Sequence, residues 1–293
     1  TLPTRYGERV VLRLLDTKNA LVGLTELGMD EKTLARFSDA LAQPNGVILV
    51  TGPVGSGKTT TLYASLSRLN NGRDNIMTLE DPVEYGLPGI SQTQMDHKVG
   101  LNFAATLRSI LRQDPNVVMV GEIRDSETAE VAFEFASTGR LALSTLHTNS
   151  AAGAITRLRD MGVEAYLLAS TLRAVMAQRL VRRLCPNCKT ERPATGAELE
   201  ALGFSSGDAV MVGEPNGCFS CGNTGFDGRI GIYELLTVDH EIRDLLGREA
   251  SEHQIDEAAF SVHDRLIDNA RRYVVSQDTS PAEVLRVCRK GGA

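Results

Sequence analysis

The chain has 293 residues, of which 42% are hydrophobic and 23% charged, with a net charge of −6 and a pI near 5.5. That length suits two or three compact units rather than one core, and the composition is that of an ordinary soluble globular protein. No apolar run approaches the roughly 18 residues of a bilayer span, and an acidic balance argues against a nucleic-acid footprint. The first residues, Thr1–Arg5, show neither a signal peptide nor an initiator Met, and read as the start of a piece of a longer protein.

Taken in order, Glu8–Leu15 alternates between Arg9, Val11 and Arg13 on one face and Val10, Leu12 and Leu14 on the other. This predicts an extended strand, the remnant of a preceding domain with its linker over residues 1–24. Residues 25–184 carry an α/β rhythm. Helices are expected at Glu31–Ala42, Lys58–Leu69, Phe103–Arg112, Ser126–Phe135, Ala151–Met161 and Ala165–Leu184. Strands are expected at Val47–Val50, Ile76–Leu79, Val117–Val120 and Leu141–Ser144. Alternating strands and helices imply a parallel sheet covered by helices. Residues 185–231 hold four paired cysteines and many Gly and Pro. Residues 232–293 read as helical, with helices at Glu252–Phe260 and Ser280–Arg289.

Gly52-Pro53-Val54-Gly55-Ser56-Gly57-Lys58-Thr59 fits the phosphate-binding pattern G-x-x-x-x-G-K-[ST]. Glycines let backbone N–H groups converge on phosphate oxygens, and a helix N-terminus adds partial positive charge. Lys58 is placed on the β- and γ-phosphates of ATP, the Thr59 hydroxyl on Mg²⁺, and Thr60 beside them. A strand before the loop and a helix after it supply the context the motif needs. The competing explanation is an accidental Gly-rich turn.

Further polar residues recur where strands end: Glu80, Asp81 and Glu84 after the second, Gly121 and Glu122 after the third, Thr145 and His147 after the fourth. Ligands of open α/β sheets bind at the carboxyl edge, so phosphate-binding, acidic and imidazole groups are expected to converge there. Glu122 is the choice for polarising the attacking water, with Mg²⁺ contact shared by Glu80 or Asp81. The alternative is that Glu122 caps a helix beginning near Arg124. His147 either senses the γ-phosphate or is a structural histidine. The remaining His97, His240, His253 and His263 do not cluster.

Cys185-Pro186-Asn187-Cys188 and Cys218-Phe219-Ser220-Cys221 are two Cys-x-x-Cys knuckles. Together they suit a closed tetrahedral Zn²⁺ site of structural kind, although the stretch between them, 189–217, is longer than the usual about 15–20 residues. Redox chemistry is the weaker reading. Cys288 stands alone on an expected helix.

Taken together, these motifs resemble the type II secretion ATPases, close kin of the type IV pilus assembly ATPases. The resemblance rests on Gly52–Thr59, on Leu79-Glu80-Asp81-Pro82-Val83-Glu84 as an Asp box, and on Gly121-Glu122-Ile123-Arg124-Asp125 as Walker B. It also rests on Leu143-Ser144-Thr145-Leu146-His147-Thr148-Asn149 as a His box and on the tetracysteine module. It implies a RecA-like P-loop core hydrolysing ATP with Mg²⁺ and a zinc module. It further implies a homohexamer on platform proteins at the cytoplasmic face of a Gram-negative inner membrane, driving a pseudopilus. It assigns Arg9 and Arg13 to reach nucleotide from the amino-terminal segment, where Arg5, Arg9 and Arg13 share parity. Arg157–Glu164 and Ala177–Arg182 look more like the secretion branch than the pilus extension branch, which remains the alternative. Arg140 stands where the family often has His, and Val54 where it often has Thr. A nucleic-acid translocase would need basic loops or aromatic platforms, but Trp is absent and aromatics are 5%. A non-enzymatic zinc scaffold would leave Glu80, Glu122 and His147 unexplained.

Overall fold

A computed structural model describes residues 2–11, 22–96, 103–205 and 209–289. Arg13, the Leu12–Leu15 part of the expected strand and His97 lie outside the described residues. The chain opens with an exposed antiparallel hairpin of β1 (Leu2–Thr4) and β2 (Gly7–Arg9). Arg5 sits in its turn, with the guanidinium over the Tyr6 ring. Arg5 and Arg9 therefore do not lie along one strand, because the chain reverses between them.

The core follows: α1 (Glu31–Leu41), β3 (Gly46–Thr51), α2 (Lys58–Leu69), β4 (Ile76–Glu80), β5 (Ser91–Gln94), α3 (Phe103–Ile110), β6 (Val117–Val120), α4 (Ser126–Ser137), β7 (Leu141–Leu146), α5 (Ala151–Asp160), α6 (Ala165–Thr171) and β8 (Leu172–Leu184). Beyond it come β9 (Thr190–Pro193), α7 (Gly196–Leu202), β10 (Met211–Glu214), β11 (Phe226–Thr237), α8 (His240–Gly247), α9 (Glu252–Phe260), α10 (Leu266–Val275) and α11 (Pro281–Arg289).

One seven-stranded sheet in the order β11-β8-β3-β7-β6-β4-β5 organises the molecule. Every pairing in it is parallel except β11 with β8. Its inner strands β3, β6 and β7 are buried on both faces, as a covered parallel sheet requires, while the edge strand β5 is polar. The pleat then divides them. Val47, Leu49, Val118, Val120, Val175 and Ala177 pack with α3 to α6, α8 and α9. Ile48, Val50, Val117, Met119, Ala174 and Met176 pack with α1 and α2. With the short edge strand β5 left out of the count, the strands from β3 to β8 run 5-1-4-3-2 from the one that leads into the phosphate loop, which suits the RecA-like core expected from the resemblance.

One expectation fails. The helix expected over Ala165–Leu184 stops at Thr171, and Leu172–Leu184 is a long strand between β3 and β11. Its Leu, Ala, Met, Gln and Arg residues are good helix formers. Burial between β3 and β11, on a strand with residues inward on both faces, overrides that preference. Its antiparallel partner β11 crosses residue 231, so the tetracysteine segment and the carboxyl-terminal segment share a strand and are not parted there. A third apolar cluster unites them, with Leu202 and Val212 against Ile230, Ala270, Val274 and Val284. Among the described residues no helix is long and apolar enough to cross a membrane.

Glu283 fastens the last helix. Its buried carboxylate accepts from Arg182 Nη2 at 2.9 Å and from Arg286 Nε at 2.8 Å and Nη2 at 2.6 Å. Burial opposes its charge, but the bonds from Arg286 and Arg182 outweigh burial and hold the carboxyl at about 2. A depressed carboxyl stabilises the fold fully above its unfolded pKa and loses that contribution as pH falls toward the folded value. Glu283→Gln is therefore expected to cost on the order of 2 kcal/mol at pH 7, after screening at the half-exposed guanidiniums. Denaturant titrations of both proteins at pH 7 and pH 3 check this. The gap between them should narrow at pH 3, and equal stability at pH 7 would remove the claim.

Candidate active site

β3 delivers the phosphate loop. At its end Thr51 Oγ1 faces the Thr148 hydroxyl at 2.7 Å and accepts from Thr148 N–H at 2.9 Å, which ties the loop's origin to the end of β7. Gly52 has φ +148° and Gly57 φ +87°. A side chain at Gly52 would fall 2.5 Å from the Gln178 carbonyl oxygen and 2.6 Å from Ser56 Oγ, so only glycine fits. Lys58 opens α2, with Thr59 exposed beside it and Val54 at the loop's exposed tip. Ser56 Oγ is buried with no hydrogen-bond partner among the described residues. Left-handed glycines, a helix N-terminus, one lysine and a spare hydroxyl form a donor-rich cradle that fits a phosphate chain.

Lys58 Nζ donates to the carbonyls of Gly52 at 2.8 Å and Pro53 at 3.1 Å and stands 3.4 Å from His147 Nδ1. Burial pushes its ammonium down to about 8, with Glu122 opposing that shift and Arg179 adding to it. On the far side of the imidazole, His147 Nε2 is 3.4 Å from Glu122 Oε2, and Arg124 donates to Glu122 Oε1. An ammonium can only donate and a carboxylate can only accept, so His147 presents Nδ1 to a donor and Nε2 to an acceptor. Lys58, His147, Glu122 and Arg124 thus form one line along the carboxyl edge of β3, β7 and β6. His147 takes part in this line and is not a satisfied core histidine.

The helix-cap alternative for Glu122 falls away. α4 begins at Ser126, and Asp125 Oδ1 accepts from Thr128 N–H at 2.8 Å. Glu80 lies elsewhere. It ends β4, three strands from β3, or about 14 Å by strand spacing. Its buried carboxylate accepts from Tyr63 Oη on α2, from Thr78 Oγ1 at 2.5 Å and from Gln92 Nε2 at 3.1 Å. The structure brings Lys58, His147 and Glu122 together and leaves Glu80 in a neutral cage that pins the second strand to the P-loop helix. Arg9 stays on the exposed hairpin, with no bond to the phosphate loop among the described residues.

Sequence reasoning missed three participants. Arg124 lies two residues beyond Glu122, a spacing that puts both on one side of an extended segment. Gln178 and Arg179 were hidden by the helix assigned to their strand. Gln178 Nε2 donates to the Ser56 carbonyl at 2.6 Å, and its Oε1 accepts from Thr61 at 2.7 Å, which holds the loop from behind.

The four cysteines meet because β8 runs into the first knuckle and β11 runs out of the second, and these strands are antiparallel neighbours. The long intervening segment folds as the hairpin of β9 and β10 with α7, and so does not strain the pairing. All four Sγ atoms lie within 4.8 Å of one another. Cys185 to Cys218 is 3.9 Å, and both Cys188 to Cys221 and Cys218 to Cys221 are 3.8 Å. Metal–sulfur bonds of about 2.3 Å in a tetrahedron give edges of about 3.8 Å. Backbone N–H groups of Gly217, Cys218 and Gly225 donate to Cys188 and Cys221 sulfurs at 3.2–3.3 Å, which suits thiolates. Cys288 is not among the four.

The family model described as "Type II/IV secretion system protein" matches residues 1–286. The chain belongs to that family. Among curated relatives of this secretion family, Type II secretion system protein E of Pseudomonas aeruginosa is 52% identical over 99% of this chain. The protein E of Aeromonas hydrophila is 51% identical, and Type II secretion system ATPase E of Vibrio cholerae 46%. The chain spans 58% of the length of each. Of solved structures, the ATPase DotB of Legionella pneumophila shares the fold, with TM-score 0.68 and 22% identity over 92% of this chain and 66% of that one. The pilus retraction motor PilT, solved with ADP, has TM-score 0.59 and 28% identity over 96% of this chain and 66% of its own.

Proposed function

We propose that this chain carries the ATP-hydrolysing core of a type II secretion motor. The observation that carries the reading is the line from Lys58 through His147 to Glu122 beside a complete phosphate loop. Lys58 would exchange its carbonyl bonds for β- and γ-phosphate oxygens. Thr59 would hold Mg²⁺, which supplies charge neutralisation on those phosphates. Glu122 would orient the water whose oxygen bonds to the γ-phosphorus as the bond to the bridging oxygen breaks. His147, linked to both groups, would register whether the γ-phosphate is present. Glu80, held by Tyr63, serves as a positioning group for the P-loop helix in this reading.

The four cysteines would hold one Zn²⁺ as a closed structural site, since their spacing and N–H donors suit it. The relatives' names favour protein secretion over pilus extension. We place the working form as a homohexamer at the cytoplasmic face of the inner membrane, docked on platform proteins, with Arg9 and Arg13 brought to the nucleotide by domain closure. Phosphate release measured against protein concentration tests this. The rate per chain should rise with concentration, and removing both arginines should lower the rate far more than the affinity. A monodisperse monomer with a constant rate, indifferent to both substitutions, would sink the assembly part. No phosphate release under any condition would sink the enzyme.

A further inference from the structure

Arg179 carries an unusual burden for a buried residue. It lies on β8 with 4% of its surface exposed. Its bonds run to carbonyl oxygens: Nη1 to Gln178 at 3.2 Å and Nη2 to Asn149 at 2.7 Å, with the Asn149 side-chain oxygen at 3.4 Å. Among the described residues no carboxylate comes within ion-pair distance of it. Burial presses on its charge, and the two groups that oppose this, Glu234 and Cys288, are themselves shifted by burial toward their neutral forms. A buried cation without a counter-ion is costly to the fold. Stability alone therefore gives no reason for an arginine here.

Its location supplies a reason. The Nη1 atom would lie 3.2 Å from a Cβ placed on Gly52, the first residue of the phosphate loop. The carbonyl of that same glycine accepts from Lys58 at 2.8 Å. Arg179 and Lys58 thus flank Gly52, one behind the loop and one in front. Asn149, which Arg179 grips, follows His147 by two residues. We propose that Arg179 is a positioning residue of the nucleotide site: a fixed positive charge behind the phosphate loop that raises its affinity for polyphosphate and braces the His147–Asn149 segment. The compensating anion is the bound nucleotide.

This rests on the nucleotide-binding reading of the site, and the test separates the two. Binding of a fluorescent non-hydrolysable ATP analogue with Mg²⁺ is measured for the whole chain, along with Tm in the absence of nucleotide. Arg179→Met, which fills the volume without charge, is expected to keep or raise Tm while affinity falls about ten-fold, the scale of one partly screened charge. Arg179→Lys is expected to stay within about two-fold of the unmodified chain, since it restores the charge without the fork. An Arg179→Met protein that binds as tightly as the original overturns the proposal, and marks a mere strut if its Tm also falls. Should Arg179→Met lose both properties or fail to fold, Arg179→Lys decides. Retained affinity supports the charge, and a loss like that of Met at unchanged Tm overturns it. If the unmodified chain binds no nucleotide, the reading of the site fails first.

Discussion

Lys58→Ala is expected to abolish ATP turnover while leaving the fold intact. The ammonium is held at the mouth of the loop by two carbonyls, Gly52 and Pro53, and among the described residues by no ion-paired carboxylate, so it is free to transfer to phosphate oxygens. Its pKa near 8 keeps it mostly charged at neutral pH. Removing it deletes a positive charge where the transition state gathers negative charge, and a loss of at least about 10²-fold, on the order of 3 kcal/mol, should follow. Helix α2 should survive, because alanine is a good helix former and position 58 is only half-buried. Glu122→Gln is the informative companion. It keeps a hydrogen-bonding group beside Arg124 but removes the negative charge facing His147, so ATP affinity should hold while turnover falls by a comparable factor. Steady-state phosphate release with nucleotide binding on each variant checks both. A Lys58→Ala protein keeping half its activity would remove the phosphate-loop assignment. Parallel loss of binding and rate in Glu122→Gln would make Glu122 a metal or structural group instead.

Much of this site was legible before any coordinates because its parts are local. A phosphate loop is one strand, one turn and one helix, and the sequence 47–69 contains all three. The strand ends at Glu80, Glu122 and His147 could also be placed at one edge, because parallel α/β topology forces that edge. What periodicity could not supply was depth. Nothing in the pattern tells that β4 lies beyond β6, and so Glu80 reads as a second acid sharing Mg²⁺ beside Glu122. Strand order makes one a neighbour of His147 and encloses the other with Tyr63, Thr78 and Gln92. The stretch from Leu172 failed for a different reason. Its residues prefer a helix locally, and only burial on both faces of a crowded sheet reverses that choice, which is tertiary information. The error concealed Gln178 and Arg179, the two residues that support the phosphate loop from behind.

The cysteine module should respond to metal removal on a scale set by folding rather than by catalysis. Purified, reduced protein is expected to carry about one Zn²⁺ per chain, as four thiolates in a closed tetrahedron require. Cys185 is the buried member and follows directly on β8, so Cys185→Ser strikes where the knuckle meets the sheet. A structural zinc contributes roughly 10 kcal/mol or more to small sites of this kind. Besides the metal, the short β9–β10 hairpin and seven-residue α7 are held by the packing of Leu202 and Val212 and by the Arg192 ion pairs to Glu198 and Glu214. Leu202 and Val212 should leave the cluster they share with Ala270, Val274 and Val284, and α10 and α11 should loosen with them. The phosphate loop rests on the two apolar layers flanking β3, which among the described residues include none between 185 and 231. Nucleotide binding should therefore persist in Cys185→Ser and in chelator-treated protein, while proteolysis opens the chain between 185 and 225. Metal analysis showing no zinc in intact reduced protein would remove the site. Collapse of nucleotide binding on chelation would show that the module and the phosphate-loop core form one cooperative unit, joined through β8 and β11.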